Sequence, residues 1–300
     1  MELGVGKNGI RGPEKRNWHP ELFLAQYEPP LMIDEFQYVP ELLPFIKMVV
    51  DERNEMGLYF LTGSQFFKMM DRDLFFSSYV QTYIERDIRK VVNVRDVGRF
   101  ENFLACVAAR TGEELVYEDI ASSVGVDSKT VKTWIGVLEA TGLVFLLHSW
   151  SGNPTKRVVK RPKMHFMDTG LACHLARIAD SSTLFASRQA GHFFESWVVG
   201  QIVRSYQSAG LDPSHYLYYY RDDAMREIDL LISMSGRLYP VEIKLSANPG
   251  ADAMRHFAVI DEMKIDRAAG CVVSLTQNAV PVRDRGFIVN VSSIWSARCH

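Results

Sequence analysis

Glu227-Ile228-Asp229-Leu230-Leu231-Ile232-Ser233-Met234-Ser235-Gly236-Arg237-Leu238-Tyr239-Pro240-Val241-Glu242-Ile243-Lys244-Leu245-Ser246 holds two apolar runs around Ser235-Gly236. That dipeptide is a turn signal, so the stretch predicts a β-hairpin. Side chains alternate along a strand. Tyr239, Val241, Ile243 and Leu245 then share one face, and Glu242 and Lys244 share the other. With Ser235-Gly236 as a two-residue loop, Asp229 stands opposite Glu242. Directly opposed residues have Cβ atoms about 4.5–5.5 Å apart, and like charges there repel. A divalent cation would relieve the repulsion, because Mg²⁺ takes oxygen ligands. A proton shared by the pair would relieve it too. The plainer alternative is an exposed Glu-Lys pair on an edge strand, stabilising by roughly 0.2–1 kcal/mol.

Upstream, Gly191-His192-Phe193-Phe194-Glu195-Ser196-Trp197-Val198-Val199 opens a helix. Phe194, Trp197, Val198 and Gln201-Ile202-Val203 form its stripe, and Glu195 lies on the flank. A helix glutamate, a strand aspartate and a strand Glu-x-Lys, in that order, resemble the core of the PD-(D/E)XK nucleases. The resemblance implies that Asp229 and Glu242 hold Mg²⁺, that Glu195 helps, and that Lys244 positions water or steadies phosphate. The implied chemistry is metal-assisted phosphodiester hydrolysis. Fold alone does not imply that activity.

The 300 residues are enough for two or three domains with real cores. Hydrophobic content of 47% and charged content of 23% are ordinary for a globular protein. A net charge of -2 gives no global basic field for nucleic acid. Cys106, Cys173, Cys271 and Cys299 are scattered, with neither zinc spacing nor a disulfide framework. No apolar run approaches the ~20 residues that span a bilayer. The expectation is a cytoplasmic protein without membrane contact.

Met1 to Trp18 reads as a loose lead-in. Gly4-Val5-Gly6-Lys7-Asn8 misses the phosphate-loop pattern, which needs an earlier Gly and a Ser or Thr after the Lys; no strand is expected before it. Leu31-Met32-Ile33-Asp34-Glu35-Phe36-Gln37 looks like a Walker B strand. In such ATPases the Asp steadies Mg²⁺ and the Glu orients water. An amphipathic helix from Pro40 to Asn54 and a buried strand from Gly57 to Gln65 would complete a βαβ fragment. The bland reading leaves Asp34 and Glu35 as mere strand ends.

Phe75 to Ile88 and Phe100 to Ala109 read as helices. Tyr117 to Val124, then Gly125, then Ser128 to Leu138 is a helix-turn-helix pattern, with Asp127 or Ser128 as N-cap. Ile120, Val131, Ile135 and Leu138 would form its core. Leu143 to Leu147 reads as a strand and Trp150 to Pro154 as a turn. Lys156-Arg157-Val158-Val159-Lys160-Arg161-Pro162-Lys163 follows as a basic hairpin, the wing of a winged helix. Such modules bind DNA or proteins. In the DNA reading Lys129, Lys132 and Thr133 face a groove, and Lys156, Arg157, Lys160 and Arg161 meet phosphates. Asp168 is expected to cap a following helix, and His165 and His192 to be structural.

His215 to Arg221 adds an aromatic strand, making a three-strand meander with the Glu195 helix on it. A helix over residues 251–263 and strands over residues 268–274 and 286–291 complete an α/β/α sandwich. The ordered motifs now span most of the chain. They run from Pro29-Pro30 and the Walker B-like strand through Leu61-Thr62-Gly63-Ser64, Tyr83-x-x-Arg86-Asp87, Lys160-x-Pro162-Lys163 and Asp168-x-Gly170-Leu171. Gly191-x-x-x-Glu195, Tyr219-Tyr220-Arg221, Glu227-x-Asp229 and Glu242-x-Lys244 complete the series. Together they resemble the prokaryotic AAA-type ATPases with a winged helix and a C-terminal domain of unknown function. The resemblance implies an α/β chain of three parts. These are a partial ATPase domain (1–76), a helical winged-helix domain (77–184) and a restriction-endonuclease-like α/β/α domain (185–300). It implies ATP as a family cofactor, with Asp34 and Glu35 as its residues. The absent phosphate loop implies a shortened member that has lost ATP hydrolysis and could pair its open sheet with another chain. The expected function is a DNA-associated protein with a nuclease-like Mg²⁺ site. The alternatives are a non-catalytic protein-interaction module and a residual ATP binder.

Overall fold

The computed structural model describes residues 2–3, 19–27, 29–33, 42–53, 58–61, 72–83, 97–152, 160–282 and 286–295. Asp34, Glu35, Lys156, Arg157, Arg86 and Asp87 lie outside them. The chain divides into two compact units, Met1–Tyr83 and Ile84–His300.

The first unit contains β1 (Glu2–Leu3), α1 (Pro20–Gln26), β2 (Leu31–Ile33), α2 (Leu43–Arg53), β3 (Tyr59–Leu61) and α3 (Arg72–Tyr83). β1, β2 and β3 form a parallel three-stranded sheet in that order. Leu24, Leu31, Ile33, Leu42 and Ile46 make its core. The βαβ arrangement around β2 and β3 follows from two short apolar runs joined through an amphipathic helix. The strand β1 corrects the expectation that no strand precedes Gly4. Two residues are too few to show a period, and only pairing with Met32 and Ile33 defines them.

The described part of the second unit starts with α4 (Val97–Ala109), α5 (Tyr117–Val124), α6 (Ser128–Ala140), β4 (Val144–Leu147), β5 (Lys163–Phe166) and α7 (Thr169–Leu175). α5 ends because Gly125 takes φ 75, a left-handed C-cap that glycine adopts without strain. α6 begins where the Asp127 side chain accepts the Thr130 N–H at 2.8 Å. Ile120, Val131, Ile135 and Leu138 are buried as the pattern suggested. Trp134 packs edge-on against Phe100 and Phe103, with centroids 5.1 and 5.0 Å away. Asp168 accepts from Gly170 N and Leu171 N and so caps α7.

The remainder holds α8 (Ser181–Ala186), α9 (Ala190–Ser208), β6 (Leu217–Arg221), β7 (Glu227–Met234), β8 (Arg237–Ile243), α10 (Ala258–Glu262), β9 (Gly270–Ser274), β10 (Val280–Val282) and β11 (Gly286–Asn290). Six strands form a mixed sheet in the order β10-β11-β9-β8-β7-β6. β6, β7 and β8 are the antiparallel meander, and β8, β9 and β11 run parallel. One face packs Leu217, Leu230, Val241, Ile243 and Val273 against Val198, Val199 and Val203 of α9. The other packs Ile228, Leu231, Leu238 and Val272 against Met254, Phe257, Val259 and Ile260. The expected helix over residues 251–263 is instead a 3-10 helix, Ala251–Phe257, running into the short α10. Buried Met254 and Phe257 stand three residues apart, the period of a 3-10 helix.

β9 and β11 approach closely at a pair of glycines, Gly270 and Gly286. A Cβ on Gly286 would stand 1.8 Å from the Gly270 carbonyl oxygen, and Gly286 has φ 140. Backbone cannot yield as a flexible side chain can. Gly286→Ala should therefore destabilise the chain by at least the ~1–3 kcal/mol of ordinary overpacking, read from the denaturant midpoint.

Candidate functional site

The hairpin register is the one the turn dictates. Pairs run from Met234↔Arg237 to Leu230↔Val241. Ser235 (φ 52) and Gly236 (φ 77) are both left-handed, as a two-residue hairpin turn of primed type requires. β8 lies between β7 and β9, so Glu242 is on an interior strand. That overturns the alternative of an exposed edge pair. Asp229 lies just beyond the last pair, and its Oδ2 accepts from Ile243 N at 2.8 Å.

A bulge sets that position. Tyr218 pairs with Leu231 and Tyr220 with Ile228, leaving Asp229 and Leu230 opposite Tyr219 alone. Ile228 and Leu231 consequently share one face, while Leu230 and Ile232 pack on the other. Bulges re-aim side chains in this way. Tyr219 is held from its other side: its N–H donates to His148 O at 3.0 Å and its carbonyl accepts from Trp150 N at 2.6 Å. Trp150, expected in a turn, is thus tied to the sheet.

Asp229 and Glu242 are buried, 8% and 7% exposed. Lys244 Nζ donates to Glu242 Oε1 at 2.6 Å and stands 3.7 Å from Asp229 Oδ2. Glu242 Oε2 is buried and has no hydrogen-bond partner. Burial pushes the Glu242 carboxyl up to about 7, with the Asp229 charge adding and Lys244 opposing. Burial works against the Lys244 charge, but Asp229 and Glu242 outweigh it and raise its pKa.

Glu195 reaches the same region from α9 and is 7% exposed. Its direct contact is with Lys163. Its Oε1 accepts from Lys163 Nζ at 2.9 Å, and the same Nζ lies 2.5 Å from Glu227 Oε1. Burial raises the Glu195 carboxyl, Lys163 opposes, and Asp229 adds. Burial disfavours the Lys163 charge, yet Glu195, Asp229 and Glu227 together hold it protonated far into the alkaline range. Among the described residues no three His, Cys, Asp or Glu side chains form a group able to hold a metal ion. Any cation site here therefore rests on two carboxylates, one of them with an orphaned oxygen.

Lys163 and Glu227 are site residues that the sequence motifs contained without revealing their pairing. The available signal was a lysine opening the apolar strand Lys163-Met164-His165-Phe166, a place where a charge needs a partner.

The basic residues divide. Lys129 and Lys132 are exposed on α6, opposite buried Val131, Trp134 and Ile135. Lys160 donates to Arg221 O at 3.0 Å, and Arg161 O accepts from Tyr219 OH at 2.5 Å. The end of the basic run is therefore fastened to the sheet. Arg221 also pairs with Glu114 at 3.1 Å.

His165 and Ser196 are adjacent, Nδ1 to Oγ 3.0 Å, with Thr111 Oγ1 2.9 Å from the same hydroxyl. All three are fully buried, so this is a structural network rather than a nucleophile exposed to substrate. Burial, with Lys163 and His192 nearby, lowers the His165 pKa from 6.5 to about 3. A depressed histidine contributes stability that is present above its unfolded pKa and lost as pH falls toward the folded value. Stability should thus decline as pH falls from 6.5 toward 3, with His165 contributing to the loss. Melting curves across that window should show a shallower slope for His165→Gln.

Comparison with known proteins gives two domain matches. Residues 66–182 match a domain of unknown function (DUF8612), and residues 190–294 match another (DUF4143). An uncharacterized protein of Mycobacterium tuberculosis and one of Mycobacterium bovis are each 28% identical over 183 residues. The aligned part is 61% of this chain and 40% of each relative. The chain spans well under two thirds of the curated relatives it matches. Protein VC1899 from Vibrio cholerae aligns over 75% of this chain and 54% of its own, at 11% identity and a TM-score of 0.25. The chain thus carries two domains of unknown function on a mixed α/β architecture. No described helix is long and apolar enough to cross a membrane.

Proposed function

We propose that the chain is a DNA-associated protein with a divalent-cation site of nuclease type at Asp229 and Glu242. The observation that carries this reading is the buried, unpartnered Glu242 Oε2 beside Asp229 and Lys244. A buried carboxylate oxygen without a donor is costly, and a cation is the partner that suits it. A divalent ion bound there would activate water and neutralise developing charge on a phosphodiester. The residues of this chain do the rest. Asp229 is braced by Ile243 N–H, so its carboxylate keeps one orientation. Lys244 is 43% exposed at its side chain and can turn its ammonium to a phosphate oxygen while staying tied to Glu242. The helix pair α5–α6, with exposed Lys129 and Lys132, resembles a winged-helix DNA reader and would position the duplex. ATP use through Asp34 and Glu35 is a separate proposal inherited from the ATPase resemblance, and it plays no part in this site.

Cleavage of duplex, single-stranded and branched DNA with Mg²⁺ or Mn²⁺ tests the reading, with Asp229→Ala beside the parent. Cleavage lost in the variant supports it. DNA binding without cleavage, weakened by Lys129→Glu and Lys132→Glu, would leave a binding module on a silent site. Neither binding nor cleavage would favour the protein-interaction alternative.

A further inference from the structure

Lys163 sits between the carboxylates of Glu195 and Glu227, the second of which also has Arg221 Nε 3.8 Å from its Oε2. Its Nζ is within hydrogen-bond reach of both Glu195 Oε1 and Glu227 Oε1 and lies 5.6 Å from the Tyr219 ring centre. Both oxygens therefore point at one spot, close enough together to bridge a single ion. The side chain is 5% exposed, against 43% for Lys244, so the ammonium is sealed in rather than offered to a substrate.

Its backbone is fixed from both sides. Lys163 pairs with Leu147 of β4 and bridges to Glu114. Met164 N donates to Glu113 O and Leu115 N to Pro162 O. β4 continues into residues 148–150, where His148 and Trp150 are bonded to Tyr219. The strand pairing holds this backbone in place, which argues for a permanent fitting rather than a switch.

We propose that Lys163 is a built-in counter-cation: it occupies the position between Glu195 and Glu227, limits the site to one divalent ion, and fastens the helical module to the sheet. The wild-type count rests on the cation site at Asp229 and Glu242; the Lys163 position does not. Removing the ammonium leaves the Glu195 and Glu227 oxygens, which both reach it, around a vacated position that a divalent ion can fill.

The test is Mn²⁺ titration calorimetry on the full chain, with melting temperatures in EDTA and in Mn²⁺. Wild type is expected to bind one ion. Lys163→Ala is expected to bind one more than wild type, to melt earlier in EDTA, and to regain more on adding Mn²⁺ than wild type does. Lys163→Ala/Glu195→Gln should return to the wild-type count. Wild type binding none while Lys163→Ala binds one would sink the Asp229–Glu242 reading and keep this one. Equal counts in wild type and Lys163→Ala would overturn the proposal. If Lys163→Ala is unfolded in EDTA, folding in Mn²⁺ supports the proposal, and failure to fold in both overturns it.

Discussion

Lys163→Ala should destabilise the second unit by about 3–5 kcal/mol in metal-free buffer, the cost of breaking a buried ion pair from one side. Lys163 and Glu195 are both nearly inaccessible, so solvent cannot take over the lost partner. The exposed pairs of the same unit behave differently. Arg237 and Asp266 are about half exposed, and their 2.7 Å contact should be worth about 0–1 kcal/mol. Denaturant midpoints for Lys163→Ala and Arg237→Ala separate the cases. Similar small losses in both would mean that Lys163 is not the anchor described.

Lys244→Ala and Asp229→Ala should each reduce any phosphodiester cleavage by about 10²–10³-fold, the scale of losing one well-placed electrostatic group. Their stability effects should diverge. Removing Lys244 leaves Glu242 without its 2.6 Å partner, and the raised Glu242 carboxyl can then simply keep a proton. Removing Asp229 leaves Ile243 N–H without its acceptor, which costs about 1–3 kcal/mol for a buried donor. Turnover and melting temperature measured on the same two variants test both statements.

The hairpin was legible because a two-residue loop leaves little freedom. Ser235-Gly236 fixes the turn, the turn fixes the pairing, and the pairing sets Asp229 near Glu242. The ends of α5 and α6 were legible for a similar reason: Gly125 and Asp127 are local stop and start signals. What the sequence hid depends on distant contacts. The bulge at Asp229 exists opposite Tyr219, whose backbone is claimed by His148 and Trp150. The partner of Glu195 lies on β5, in another part of the chain, and no periodicity links the two. Lys163 read as the last of a basic run, but strand pairing turns it inward while Lys160 stays at the surface. Glu242 read equally well as exposed until β9 covered its strand.

The most direct measurement is a crystal of the full chain soaked in Mn²⁺ and recorded at the manganese absorption edge. An anomalous peak is expected within bonding distance of Glu242 Oε2 and an Asp229 carboxylate oxygen, absent in Asp229→Asn crystals. No peak there, with Lys244 still bridging the two carboxylates, would contradict it and leave a self-neutralised, non-catalytic site.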